Sequence, residues 1–200
     1  MSLLPLIFTA GWASGINAYA VVLLFGLFGI TGLSDDVPEG LQRPDVLIAA
    51  GVLFLVEAVA DKIPYFDSFW DSIHTVIRPA SGAVVAALLA GSDGSLPQLG
   101  AAAVGGTTAL VSHLVKAGLR MGINTSPEPA SNIIVSTLED LGVAGVITLA
   151  VFHPLPAAII AGVLLIIGIV LVVFLAKRIR RSWRRFRQWW ESRQRPALPG

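Results

Sequence analysis

Four runs of polar side chains recur at helical spacing within otherwise apolar sequence. Glu57 and Asp61 are four apart, so a helix sets both carboxylates on one face, where they can bind a cation or accept a proton. Asp71, His74 or Thr75, and Arg78 make a second stripe that leads into Pro79. His113, Lys116 and Arg120 fall at i, i+3 and i+7, a third face with a ring nitrogen and two cations. Glu128, Asn132, Ser136 and Glu139 or Asp140 form the fourth. Asn17, Lys62, Asn124, Ser126 and Ser131 lie beside these stripes and complete the candidates for transport or binding. Pairing partners are available: Lys116 and Arg120 for Glu128 or Glu57, and Arg78 for Glu139 or Asp140. Plainer roles compete. Lys62, Asp67 and Asp71 suit a solvated loop, His113 an interhelical hydrogen bond, and Asn17 a bundle-facing polar contact. Ser131 suits packing at the start of a helix that Pro127 or Pro129 would begin.

The surrounding sequence says which solvent these stripes meet. Hydrophobic residues make up 54% of the 200 and charged residues 14%, against about 25% charged in soluble domains. Mean hydropathy is +0.76. The uncharged stretch from Ala157 to Ala176 gives roughly 30 Å of helix, enough to cross a bilayer core. A charge at the bilayer centre costs ~2.5–3.5 kcal/mol on insertion scales, so the stripes must face a helix bundle or a water-filled cavity.

The pattern predicts an all-α polytopic membrane protein with six spans: Leu3–Ile30, Val46–Ala60, Phe69–Ala90, Leu96–Leu119, Pro127–Val151 and Pro154–Ala176. The second is short and the third contains Pro79, so either is a candidate for a broken or re-entrant helix. Loop signals separate the spans: 35–40, Ile63-Pro64, 91–94 and His153-Pro154. Leu3–Ile30 is too long for a secretory signal core and lacks its basic leader, so it reads as a retained first span. Gly11 and Gly15 on it suit close helix packing.

Nine of the 14 basic residues lie between Lys177 and Arg195, which marks the C-terminal side as cytoplasmic. Counting back through six spans puts both termini there, together with the Lys62–Arg78 and Lys116–Arg120 connections. Residues 1–176 then form one transmembrane domain and 177–200 a basic tail. Ile179, Trp183, Phe186 and Trp190 recur at helical spacing in that tail, among Arg178, Arg180, Arg181, Arg184, Arg185 and Arg187. This pattern predicts a separate interfacial helix held by anionic membrane lipids. A stop-transfer flank accounts for the arginines without nucleic acid.

The phrase Pro-Ala-Ser occurs twice, at Pro79–Ser81 and Pro129–Ser131. Aligning the copies pairs helical hairpins 45–91 and 96–151 as a parallel internal repeat. An inverted repeat of spans one to three on four to six is the other scheme. Gly82 follows one copy and Asn132 the other, so the second hairpin is the more polar.

Enzyme signatures are thin. The absence of cysteine excludes disulfides and thiolate chemistry. There is no H-E-x-x-H or comparable metal spacing, no G-x-S-x-G nucleophile setting, and no glycine-rich phosphate loop. The residues name no cofactor, and no catalytic activity is expected.

The blocks GINAY (15–19), EAVADKIPYFDSFWDSIHTVIRP (57–79), HLVKAGLR (113–120), INTSPEPASN (123–132) and LED (138–140) resemble a bacterial integral membrane family catalogued as domain of unknown function 4126. The likeness runs from the first predicted span to the fifth. It implies a small multi-span inner-membrane protein and brings no substrate or activity. From the residues themselves we expect a small transporter or channel for an ion or small solute, its pathway lying between the two hairpins. In that role Glu57 and Asp61 serve as cation ligands or proton acceptors, and Lys116 and Arg120 as counter-charges or anion contacts, with helix starts at Pro79 and Pro129 offering backbone N–H groups to an anion. The alternatives are recognition or translocation of a lipid phosphate head group at the cytoplasmic face, by Arg78, Lys116 and Arg120 beside Ser126 and Asn132, or a structural subunit. Six short spans make a slim wall for a pore, which points to a homo-oligomer.

Overall fold

A computed structural model of the protein describes residues 3–91, 95–124 and 129–193. These form seven helices: α1 (Leu3–Ile30), α2 (Glu39–Gln42), α3 (Pro44–Ala60), α4 (Phe66–Leu89), α5 (Ser95–Ile123), α6 (Pro129–Phe152) and α7 (Pro154–Arg193). Proline opens α3 and α7, where its missing N–H costs nothing and its fixed φ favours the helix. No strand is present among the described residues.

The burial pattern is that of a chain solvated by lipid. Arg78 and Arg120 are the largest side chains that are completely buried, while Leu138, Leu164, Val170 and Phe174 stand exposed on the outer faces. A water-soluble domain does the reverse, because an exposed apolar surface of this size is unfavourable in water. By length and composition four helices can cross a membrane: Leu3–Ile30, Phe66–Leu89, Ala130–Phe152 and Pro154–Gln188. α3 is shorter, at 17 residues, and α5 carries three of the buried charged or histidine side chains.

α1 packs on every other long helix, yet it does not run straight through them. Asn17 leaves the helical region (φ −147°, ψ 95°), and the chain reverses there. On the first leg, Ile7 packs with Ala86 and Ala101, Gly11 meets Gly105, and Gly15 meets Ala109 and His113. That leg runs parallel to α5 and therefore antiparallel to α4. On the second leg, Tyr19 reaches His74, Val22 shares a cavity with Ser81 and Val84, and Phe25 shares one with Leu89. That leg runs parallel to α4. Leu6 and Phe25 accordingly line the same small cavity. α1 is a re-entrant hairpin: two legs of roughly 20 Å each, too short to cross a bilayer core, dipping to mid-bundle and returning.

Three helix backbones meet along the first leg because glycine lets them. A Cβ added at Gly11 would lie 2.6 Å from the Gly105 carbonyl oxygen, and one at Gly82 would lie 2.9 Å from the same atom. Small residues at such crossings are how helices in lipid gain packing contact.

Several expectations change here. Leu3–Ile30 has the length and composition of a span but turns back at Asn17, so the break sits in α1 rather than in the second or third predicted span. α4 continues through Pro79 without interruption. The first Pro-Ala-Ser copy lies mid-helix in α4, so no helix start exists at Pro79, and the second lies in the first described turn of α6. α7 passes Ala176 without a break, so the basic segment extends the last span along its axis rather than forming a separate element. Residues 3 and 193 also lie at opposite ends of the bundle: α7 runs parallel to α5, with Val115 beside Gly168 and Gly122 beside Leu175, and α1 starts at the end where α5 starts.

Candidate functional site

The hairpin tip leaves its own backbone groups to be satisfied. A helix ends with carbonyls that have no internal donor, and in lipid only protein or trapped water can serve them. Here Arg78 Nη1 donates to the Gly15 carbonyl at 3.4 Å, Lys116 Nζ to that of Ile16 at 3.0 Å, and Ser112 Oγ to that of Trp12 at 2.7 Å. Two cations thus sit at the negative end of the first leg's dipole. Asn17 caps the second leg: its Oδ1 accepts from the Ala20 N–H at 2.9 Å, three residues on, as an N-cap asparagine does. Its Nδ2 donates to Asp140 Oδ1 at 3.0 Å, which brings a carboxylate to the positive end of that leg.

From this tip a network spreads through α3, α4, α5 and α6. Arg78 Nη2 donates to Glu57 Oε1 at 2.8 Å, and Arg78 Nη1 lies 3.0 Å from Asp71 Oδ1. Lys116 Nζ is 2.5 Å from Asp61 Oδ2, 3.6 Å from Glu57 and 3.8 Å from Glu139. Arg120 Nη2 is 2.6 Å from Glu139 Oε2 and 3.4 Å from Asp61 Oδ2, and its Nη1 donates to the Asp61 carbonyl at 2.8 Å. That last bond caps α3, whose final turn carries Glu57. Asp67 is held by Asn124 Nδ2 at 2.8 Å, with Asn132 behind it at 3.5 Å.

The two histidines occupy opposite tautomers. An arginine cannot accept a proton, so the 2.9 Å contact from Arg78 Nη1 makes His113 Nδ1 the acceptor, and its Nε2–H donates to Thr75 Oγ1 at 3.1 Å. His74 Nδ1–H donates to the Trp70 carbonyl at 2.8 Å, leaving Nε2 to accept from the Tyr19 hydroxyl at 2.9 Å. Both rings are neutral in this arrangement.

Most predicted residues therefore converge: Asn17, Glu57, Asp61, Asp71, Thr75, Arg78, His113, Lys116, Arg120, Asn124, Asn132, Glu139 and Asp140. Lys62 lies at the edge, donating to the Ala58 carbonyl at 2.7 Å and 3.4 Å from Ser136 Oγ. Ser131 is half-buried on the first turns of α6. Ser126 and Glu128 fall outside the described residues. Arg178, Arg180, Arg181, Arg184, Arg185 and Arg187 are exposed on the far part of α7. One expected pairing is corrected: Arg78 takes Glu57 and Asp71, because its stripe faces α3 and its own first turns, and Glu139 goes to Arg120. Sequence reasoning missed Asp67 as a network member, Tyr19 as the partner of His74, and the backbone carbonyls of 12, 15 and 16. The signal for Asp67 was its spacing, four before Asp71 on the same helical face.

Two openings reach the network. A cleft of about 160 Å³ between α4 and α5, lined by Ser68, Ser72, Thr75 and Met121 among others, ends on Asp71. A larger, mostly apolar cleft of about 280 Å³ between α5, α6 and α7 ends on Lys116 and Glu139. Within the network, Glu57 Oε2, Asp61 Oδ1 and Asn132 Oδ1 are buried acceptors with no hydrogen bond from the described protein groups.

The model of a protein family described as Domain of unknown function (DUF4126) matches residues 4–174. The chain belongs to this family. The match contains the hairpin and every described network residue, and stops before the basic end of α7. No curated protein and no solved structure matches the chain.

Proposed function

We propose that this membrane protein is a small transporter or channel for an ion or small solute, with its pathway passing the charged network at the hairpin tip. The observation that carries the reading is the reversal at Asn17, which delivers helix-end carbonyls and a helix N-terminus to mid-bundle beside buried charges. Discontinuous helices of this kind are how membrane proteins present backbone dipoles to a cargo. The charge balance indicates what that cargo is. Four buried carboxylates (Glu57, Asp61, Asp67, Asp71) stand with three buried cations (Arg78, Lys116, Arg120), and Glu139, Asp140 and Lys62 adjoin them half-buried. Burying that excess of negative charge is costly unless protons or cations accompany it. Glu57 and Asp71, which share Arg78, are the pair we assign to carrying a proton or ligating a cation.

The finer topology follows from the same reading. α3 to α7 make five crossings, α1 enters and leaves on one face, and the basic end of α7 lies in the cytoplasm of a bacterium with the protein in its inner membrane. A lipid phosphate at the cytoplasmic face has less support, since Arg78, Lys116 and Arg120 are already held by carboxylates.

The test is flux. Protein reconstituted in proteoliposomes with an internal pH dye and an imposed cation or proton gradient should show movement that Glu57→Gln abolishes. Undiminished flux in that variant, with its fold intact, removes Glu57 from the mechanism.

A further inference from the structure

We propose that the cleft between α5, α6 and α7 binds an amphiphilic organic cation taken sideways from the bilayer, with Glu139 as its counter-charge; the proposal rests on the transport reading and names its substrate class.

The cleft exists because α6 carries glycine where a side chain would fill it: a Cβ at Gly142 would meet nothing within 4 Å. Gly168 of α7 also lines the space, but there the glycine lets α7 pack against Val115 of α5. α5 and α6 touch little, so the space between them is closed mainly by α7 outside and by the first leg of α1 at its floor. At about 280 Å³ it falls just below the roughly 300–1,000 Å³ of small-molecule sites.

Its walls select an apolar body. Leu138 and Leu164 form a rim that faces outward, 63% and 42% exposed, so entry is from lipid rather than from water. A hydrated inorganic ion would lose its water there with nothing to replace it.

Its floor selects a positive charge. Lys116 is 2% exposed, and its ammonium is committed to Asp61 and the Ile16 carbonyl. Glu139 is held by Arg120 through Oε2 at 2.6 Å, but at 15% exposed it is more accessible than Lys116, so the charge a visitor reaches first is its carboxylate. Trp12 also lines the space, an aromatic surface of the kind that attracts cations. An anionic head group would meet Glu139 before any free cation. The network behind already holds more carboxylates than cations, which favours a positive guest over a negative one.

The experiment measures equilibrium binding of tetraphenylphosphonium, and of its anionic isostere tetraphenylborate, to the purified full chain in nanodiscs. The expected result is saturable binding of the phosphonium at least tenfold tighter than the borate. Glu139→Gln should weaken phosphonium binding at least tenfold. Gly142→Leu, which fills the cleft without touching the network, should do the same at unchanged thermal stability. Equal binding of the two isosteres, or full phosphonium affinity in Gly142→Leu, overturns the proposal. So does mass spectrometry that finds an anionic phospholipid retained by the wild type and lost from Gly142→Leu. The two readings fail separately: gradient-driven flux sensitive to Glu57→Gln without phosphonium binding sinks the cleft proposal alone. Phosphonium binding without any flux sinks the transport reading and leaves the site.

Discussion

Leu6 and Phe25 line one small cavity with Leu89 and Val151, although a straight helix would hold them roughly 28 Å apart. The reversal at Asn17 is therefore directly measurable. The chain has no native cysteine, so Leu6→Cys with Phe25→Cys provides a clean pair. A short bifunctional thiol reagent should cross-link the two in membranes. A control pair of Leu6→Cys with Phe174→Cys, on the outer face of α7, should not cross-link. Absence of the first cross-link would restore a straight first span.

The same reversal sets the topology. Leu4→Cys and Arg185→Cys should react with a membrane-impermeant maleimide from opposite faces of sealed vesicles. Labelling from one face would require α1 to cross.

Asn17 does two jobs, capping Ala20 and donating to Asp140. Asn17→Ala should destabilise the detergent-solubilised protein by about 1–2 kcal/mol, the usual cost of a lost N-cap. Asn17→Asp retains a capping oxygen but sets a carboxylate against Asp140, and should cost more than alanine. Adding Asp140→Asn should recover most of that difference. Thermal unfolding of the three variants is the check.

Arg78 and Glu57 form a completely buried pair at 2.8 Å. Arg78→Met removes the cation that Glu57 and Asp71 share, leaving Glu57 only the more distant Lys116, and should cost about 3–5 kcal/mol. Glu57→Gln added to Arg78→Met should recover part of this, so a double-mutant cycle should show coupling well above 1 kcal/mol. Additive effects would mean that the two groups do not sense each other.

Glycines separate into two kinds. A Cβ at Gly105 would lie 2.5 Å from the Gly82 carbonyl and meet the Ala86 methyl, whereas one at Gly145 meets nothing within 4 Å. Gly105→Leu should cost at least about 1–3 kcal/mol as overpacking. Gly145→Ala should be neutral or gain up to about 1 kcal/mol from helix propensity. Differential scanning of purified variants distinguishes the two outcomes.

Much of the site was legible in the sequence because polar groups in lipid are costly and therefore deliberate. The spacing of Glu57 and Asp61, of Asp71 and Arg78, and of His113, Lys116 and Arg120 picked out the buried faces correctly. Pairing across helices was not legible, since it depends on how α3, α4 and α5 rotate about their axes. Nothing in the charges alone says that Arg78 chooses Glu57 and Asp71 over Glu139. The hairpin was hidden for a different reason. Both of its legs are apolar, so hydropathy reads them as one span. Two clues were present: the length of 28 residues, well above the ~20 a crossing needs, and an asparagine at the middle. The family resemblance supplied the blocks that build the network, GINAY among them, but no geometry.

The hairpin also constrains the order in which the protein can be made. Its tip exposes carbonyls and a capping asparagine whose partners, Arg78, Ser112, Lys116 and Asp140, all come from later in the chain. Neither leg can cross the bilayer alone, and an unsatisfied tip is not stable within it. The segment that leaves the ribosome first therefore meets the partners of its tip only after α4, α5 and α6 have been made.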